Sequence, residues 1–151
     1  MILNRGLGDF MSLSNIIIST GVPENTEIGG PISMQIELEN LGYQVVYLYE
    51  KGQEEMAYEP SAKDGRRLIE LIKKLHPYYV LITNNDGAGI EFAKTMQENI
   101  SQKALKQRVI VVSFGEIERS KEQIEYREYG IKQFADRFAI DELIPRYVAK
   151  V

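Results

Sequence analysis

Four short runs of β-branched and aromatic residues, each followed by a turn and then an amphipathic stretch, constrain this chain more than any other feature. They are NIIIST around residues 16–19, YQVVYLYE at 43–50, YYVLIT at 78–83 and RVIVVSF at 108–114. Three isoleucines in a row suit a strand covered on both faces, and that burial is the mark of a parallel sheet. The segments between the runs are long enough to carry a helix back across the sheet, which forces parallel pairing. With right-handed crossovers, the expected architecture is an α/β three-layer doubly wound sandwich, Rossmann-like or flavodoxin-like, with a mainly parallel sheet of about five strands.

The intervening segments carry helix signals. Pro31 suits a first helical position, Ile32, Met34, Ile36, Leu38 and Leu41 supply apolar positions, and Gly42 is a stop. Residues 51–60 read as a polar loop. Ser61 and Asp64 have capping-box spacing ahead of a face made by Leu68, Leu71, Ile72 and Leu75, and His76-Pro77 closes that helix with His76 as its cap. A third helix starts near Gly89 and carries Ile90, Ala93, Met96, Ile100 and Ala104. Ser120 and Gln123 suggest a second capping box, with Ile124, Ile131, Phe134 and Phe138 lining a helix interrupted near Gly130. A short strand is expected at 138–140 and a last short helix in DELIPRYVAKV. No repeat or linker divides the chain, so residues 1–151 read as a single domain, with 1–12 as a flexible arm.

Composition removes several function classes. There is no cysteine and one histidine, so thiolate chemistry, disulfides and His-rich zinc sites are excluded. The formal charge is -4 and no run of Lys or Arg makes a basic field, so no nucleic-acid partner is expected. No stretch reaches the roughly 20 apolar residues that span a bilayer, so no membrane partner is expected. MILNRGLGDFMSLS has no long apolar core of the signal-peptide kind, which leaves a cytoplasmic protein as the expectation. No cofactor is called for, although carboxylates could hold Mg²⁺ through a bound phosphate. Nine tyrosines and five phenylalanines are many for one small core and suggest a homodimer.

In a doubly wound sheet, ligands collect beyond the carboxyl ends of the strands. Thr83-Asn84-Asn85-Asp86-Gly87-Ala88-Gly89 reaches that edge just ahead of a helix. Its glycines expose backbone N–H groups, and the helix start favours an anion. Asp86 would repel a bare anion, so it fits better as an acid–base group, a metal-facing group or an acceptor for ligand hydroxyls. A tight βα turn with Asp86 as helix cap is the competing structural reading. Thr20-Gly21, Glu27 and Gly29-Gly30 come from the loop after the first strand, and Ser113 and Glu116 from the end of the fourth. Neither GxGxxG nor a Walker loop is present, so a standard nucleotide-binding loop is not expected. Asp86 and Glu27 are the catalytic candidates. Thr20, Gly21, Gly29, Gly30, Thr83, Asn84, Asn85, Gly87, Gly89, Ser113 and Glu116 are the ligand-binding ones.

The stretch from Ile16 to Tyr49 resembles the opening of the C-terminal part of D-glutamate cyclase-like proteins. The matching elements are Thr20-Gly21 after a strand, Glu27, Gly30-Pro31 before a helix, and Leu41-Gly42 before the next strand. Asp86, Gly87, Gly89 and Glu91 are nearest to that family's Asp-Gly-rich loop. Gly29 departs from the pattern, which has Asp before Gly-Pro, and the match covers less than a quarter of the chain. A second likeness is to molybdopterin-binding domains, whose Thr-Thr-Gly-Gly-Thr-Gly turn is echoed by residues 83–89. The first resemblance implies lyase or cyclase chemistry on an amino-acid-like substrate. Beside it stand a non-catalytic nucleotide or small-molecule sensor and a structural homo-oligomer, since fold does not fix function. The common expectation is a small anionic metabolite held at the carboxyl edge of the sheet.

Overall fold

The structure, a computed structural model, describes residues 13–23, 31–84, 87–100, 107–113 and 119–149. Five strands, β1 (Ile16–Ser19), β2 (Gln44–Tyr47), β3 (Tyr79–Asn84), β4 (Val109–Ser113) and β5 (Gln133–Asp136), form one sheet in the order β2-β1-β3-β4-β5. Every neighbouring pair is parallel. The helices are α1 (Pro31–Asn40), α2 (Glu54–Tyr58), α3 (Ala62–Leu75), α4 (Ile90–Asn99) and α5 (Arg119–Glu128), with a 3₁₀ turn at Ile140–Glu142.

This order is one of the two common doubly wound arrangements, and it explains the layers. The crossover from β1 to β2 moves one way along the sheet, and those from β3 onward move the other way. Crossovers of one hand must therefore place α1 on one face and α4 and α5 on the opposite face. Two apolar cores follow. Ile18, Val80, Ile82, Val109 and Val111 meet Leu68, Ile72, Phe92, Met96 and Tyr126 from α3, α4 and α5. On the other face, Ile17, Leu81, Ile110 and Val112 meet Met34 and Leu38 from α1 together with Ile140 and Ile144. Each fully buried Ile or Leu stabilises the fold by about 1.5–3 kcal/mol over leaving it exposed.

Helix ends follow their expected chemistry in several places. Ser61 and Asp64 form a reciprocal capping box on α3. His76 closes that helix in the left-handed region at φ 49°, its N–H donating to the Ile72 carbonyl. At the end of α1, Gly42 takes φ 98°, the Gly42 N–H donates to Glu39 O at 3.0 Å and the Tyr43 N–H to Leu38 O at 3.1 Å. That is the Schellman pattern, with Tyr43 and Leu38 sharing one core.

The last third departs from expectation. The helix does not run on past Gly130: α5 stops at Glu128, Gly130 takes φ 85°, and its N–H donates to Arg127 O while Ile131 N–H donates to Tyr126 O. A second Schellman closure thus frees Ile131 and Phe134 to enter the loop and β5. The fifth strand accordingly lies at Gln133–Asp136 and not at 138–140, and Phe138 is 55% exposed. Ile124, expected on the inner face of α5, is 60% exposed because Tyr126 is the residue that points inward. Ser120 lies inside α5, not at its cap. The expected final helix shrinks to the 3₁₀ turn, since Pro145 cannot continue it. Residues 51–60 are not all loop, because α2 forms there and buries Ala57. Ile36 of α1 is exposed. Residues 1–12 lie outside the described residues. Among the described residues no helix is long and apolar enough to cross a membrane.

Candidate functional site

β1 and β3 are neighbours whose chains leave toward opposite faces, which makes the gap beyond their carboxyl ends the switch point of the sheet. Small polar residues close both strands. Thr20 N–H donates to Leu81 O at 3.1 Å, Thr83 N–H donates to the Thr20 hydroxyl oxygen at 3.0 Å, and the two threonine hydroxyls are 3.3 Å apart. The Thr20 side chain thus continues the ladder one step past the strand. The Gly21 N–H folds back onto the Ser19 hydroxyl at 3.1 Å. A Cβ on Gly21 would sit 3.1 Å from the Pro31 ring, so this glycine lets the start of α1 pack against the end of β1.

Asn84 ends β3 and is the most informative residue at this edge. Its Oδ1 accepts from the Gly89 N–H at 3.2 Å and from the Tyr126 hydroxyl at 2.6 Å. The Gly89 N–H can only donate, so it dictates which side of the amide carries the oxygen. Nδ2 is left buried with no hydrogen-bond partner. A buried donor in that state costs about 1–3 kcal/mol. Gly89 occupies the cap position of α4 and offers no side-chain cap, so Asn84 satisfies its N–H from the strand instead. A Cβ at Gly89 would overlap the Tyr126 hydroxyl and lie 2.6 Å from Ile82 Cγ2. Internal packing therefore demands a glycine here, independent of any ligand. Gly87 takes φ 83° with open space around it, which is a turn requirement.

Ser113 is the register partner of both Asn84 and Asp136. The three form a polar row across β3, β4 and β5 on the face covered by α5. The Ser113 side borders a pocket of about 90 Å³ under α5, with Val111 and Ala135 in its floor. Asp136 and Phe134 of β5 and Gln123 and Tyr126 of α5 complete its walls. The structure therefore brings Thr20, Gly21, Thr83 and Asn84 together at the switch point, places Gly89 behind Asn84 against Tyr126, and sets Ser113 toward the neighbouring pocket. Glu27, Gly29, Gly30, Asn85, Asp86 and Glu116 lie outside the described residues.

Sequence reasoning missed Tyr126, Gln123 and Asp136. A usable signal was present: Gln123 and Tyr126 are three apart on one helix face, and a buried tyrosine hydroxyl needs a partner. Near the end of β2, burial and then the neighbouring Asp64 carboxylate push the Tyr49 phenol above its ordinary range. Among the described residues no three His, Asp or Glu side chains converge as metal ligands would. Comparison of the chain with protein-family models, curated proteins and solved structures gave no match.

Proposed function

We propose that the chain binds a small anionic metabolite at the carboxyl edge of its sheet, in the crevice between the ends of β1 and β3. The observation that supports this reading is Asn84: a buried amide donor without a protein acceptor, at the switch point where doubly wound sheets take their ligands. A carboxylate or phosphoryl oxygen is the natural acceptor for it, and a charge-assisted bond is stronger than one to water. Thr20 and Thr83 add hydroxyls beside it. Chemistry of the lyase or cyclase type on an amino-acid-like substrate needs an acid–base group as well, and Asp86 and Glu27 are the residues for that role.

A second reading, a sensor domain without turnover, draws on a different observation. Ser19, Thr20, Thr83, Asn84 and Ser113, the buried polar residues at the ends of β1, β3 and β4, are all neutral, so they recognise oxygen atoms but do not move protons readily near neutral pH.

Asn84→Asp tests the shared core of both readings. The variant keeps an oxygen for the Gly89 N–H and the Tyr126 hydroxyl but replaces the unpaired donor with a negative oxygen. Thermal shift and calorimetry against inorganic phosphate, D-glutamate, sugar phosphates and nucleotides should find an anion that stabilises the native chain as RT ln(1 + [L]/Kd). Its Kd should rise by at least about tenfold in the variant. Equal affinity for the variant, or no stabilising anion in the panel, would sink the proposal. Asp86→Asn separates the two readings: a catalyst loses turnover with binding retained, while a sensor shows no turnover to lose.

A further inference from the structure

Asn84 Nδ2 is a buried donor without an acceptor, and the groups that hold the amide in that state come from two other elements. Its Oδ1 takes the Gly89 N–H from the start of α4 at 3.2 Å and the Tyr126 hydroxyl from α5 at 2.6 Å. An amide oxygen only accepts, so the phenol is the donor in the second pair. A separation of 2.6 Å is at the short end for an O–H···O bond, which makes it the tighter of the two restraints. The Gly89 bond defines which atom is the oxygen. The second bond, from a different direction, also fixes the plane of the amide.

The structure aims Tyr126 at this task. Where burial is described along α5, Gln123 is half-buried, and Ile124, Glu125, Arg127 and Glu128 are exposed. Tyr126 alone among them is fully buried. Its ring lies edge to face on Phe134 with centroids 6.3 Å apart, so packing directs the hydroxyl. Gly89 supplies the clearance: a Cβ there would overlap the Tyr126 hydroxyl, and its absence leaves the phenol room to reach Asn84.

Both consequences for Nδ2 run the same way. An amide fixed before the ligand arrives spares binding the entropy of ordering it. Hydrogen bonds in a chain also strengthen one another, so donation into Oδ1 makes the Nδ2–H group a better donor. Neither effect needs Tyr126 to touch the ligand.

We infer that Tyr126 is a positioning residue for the anion site: its hydroxyl fixes and polarises the Asn84 amide, so that Nδ2 is held ready to donate to a ligand oxygen. The inference rests on the reading that an anion binds at Asn84.

The test follows the Asn84 side-chain amide by NMR in the isotope-labelled full chain. Inorganic phosphate and D-glutamate are the titrants, and sodium chloride is the ionic-strength control. At least one of the two anions should move the Asn84 Nδ2–H signals saturably in the native chain. Tyr126→Phe keeps the ring against Phe134 and removes the hydroxyl. Before any anion is added, its Asn84 Nδ2–H signals should lie upfield of the native ones, and its Kd should be roughly threefold to tenfold higher. Replacing Tyr126 with 4-aminophenylalanine restores a donor at the same place and should return Kd to within about twofold of the native value. Unchanged affinity in Tyr126→Phe, with the native Asn84 signals responding, would overturn the inference and leave the anion reading standing. A loss of affinity that 4-aminophenylalanine does not restore would also overturn it, by making Tyr126 a packing residue only. Native Asn84 signals that respond to neither anion would remove the anion reading itself and the inference with it.

Discussion

At the amino edge of the sheet, the rings of Tyr43, Tyr78 and Tyr147 pack edge to face with centroids 5.6 to 5.8 Å apart, and Tyr79 joins them. Arg108 caps the cluster, 4.4 Å above the Tyr78 ring. Polar groups there have partners: the Tyr43 hydroxyl donates to Pro145 O, the Tyr147 N–H to Leu41 O, Asn15 Nδ2 to Gly42 O and the Ser14 hydroxyl to Leu75 O. At the carboxyl ends of β1, β3 and β4 the buried residues Ser19, Thr20, Thr83, Asn84 and Ser113 are small and polar, and Asn84 Nδ2 has no acceptor. One edge is thus filled with large rings and satisfied bonds, and the other holds an unmet donor. That difference is the physical basis for placing ligand chemistry at one end of the sheet and stability at the other, since buried polar groups in folded proteins are ordinarily paired. The amino-edge cluster also does the work of a missing helix. It pins the irregular C-terminal segment over the face that α1 leaves open.

The contrast breaks most visibly at Tyr43. Tyr43→Ala removes a buried ring, three ring contacts and the bond to Pro145 O. A loss of about 3–5 kcal/mol is expected, read by chemical denaturation. A loss below about 1 kcal/mol would mean the amino edge is not the structural end of the molecule.

Gly89→Ala probes the other edge and should cost less, about 1–3 kcal/mol, because the new methyl group forces the Tyr126 hydroxyl away from Asn84. Tyr126→Phe removes the atom that the methyl group meets. The double variant should therefore be more stable than the sum of the two single losses allows, by at least about 0.5 kcal/mol. Strict additivity in a denaturation cycle would show that Gly89 and Tyr126 are not packed against each other.

Much of this contrast was legible in the chain before any coordinates. The four strands and their parallel pairing follow from apolar runs separated by helix-length segments, and the Ser61–Asp64 cap and the His76 closure follow from local chemistry. The end of the chain was not legible, because Ile124, Ile131, Phe134 and Phe138 have helical spacing although Gly130 divides them. A glycine's positive φ outranks periodicity at that point, and it turns half of a supposed helix into β5. For the site, Thr20, Thr83 and Asn84 could be named because they stand at the carboxyl ends of apolar strand runs. Asp136 could not, since its strand was misplaced. Nine tyrosines and five phenylalanines show in the sequence only as a number. Some of the tyrosine rings meet across a long sequence separation, Tyr43 against Tyr147, and local periodicity carries no trace of such contacts.

The smallest expected effect sharpens the comparison by pH. Burial first, then the neighbouring Tyr79 and Tyr78, push the Tyr43 phenol up to about 12, and Arg108 opposes them. In the unfolded chain the same phenol titrates near its ordinary value of about 10. The folded state holds the proton more tightly, so this group's contribution to stability is fully present below about pH 10 and is lost as pH rises toward about 12. Tyr43→Phe keeps the ring, forfeits the bond to Pro145 O and should cost about 1 kcal/mol at neutral pH. It also removes this titration, so the gap between native chain and variant should narrow as pH climbs from about 10 to about 12. Tyr47 provides the internal control: burial raises it to about 12 as well, its hydroxyl bonds Gln35 Oε1 at 2.8 Å, and its share of the alkaline loss should persist in the Tyr43 variant. Denaturation curves for both chains across that window decide the matter. A gap that stays constant with pH would show that the Tyr43 hydroxyl ionises as easily in the folded protein as in water, and that the amino edge is open to solvent.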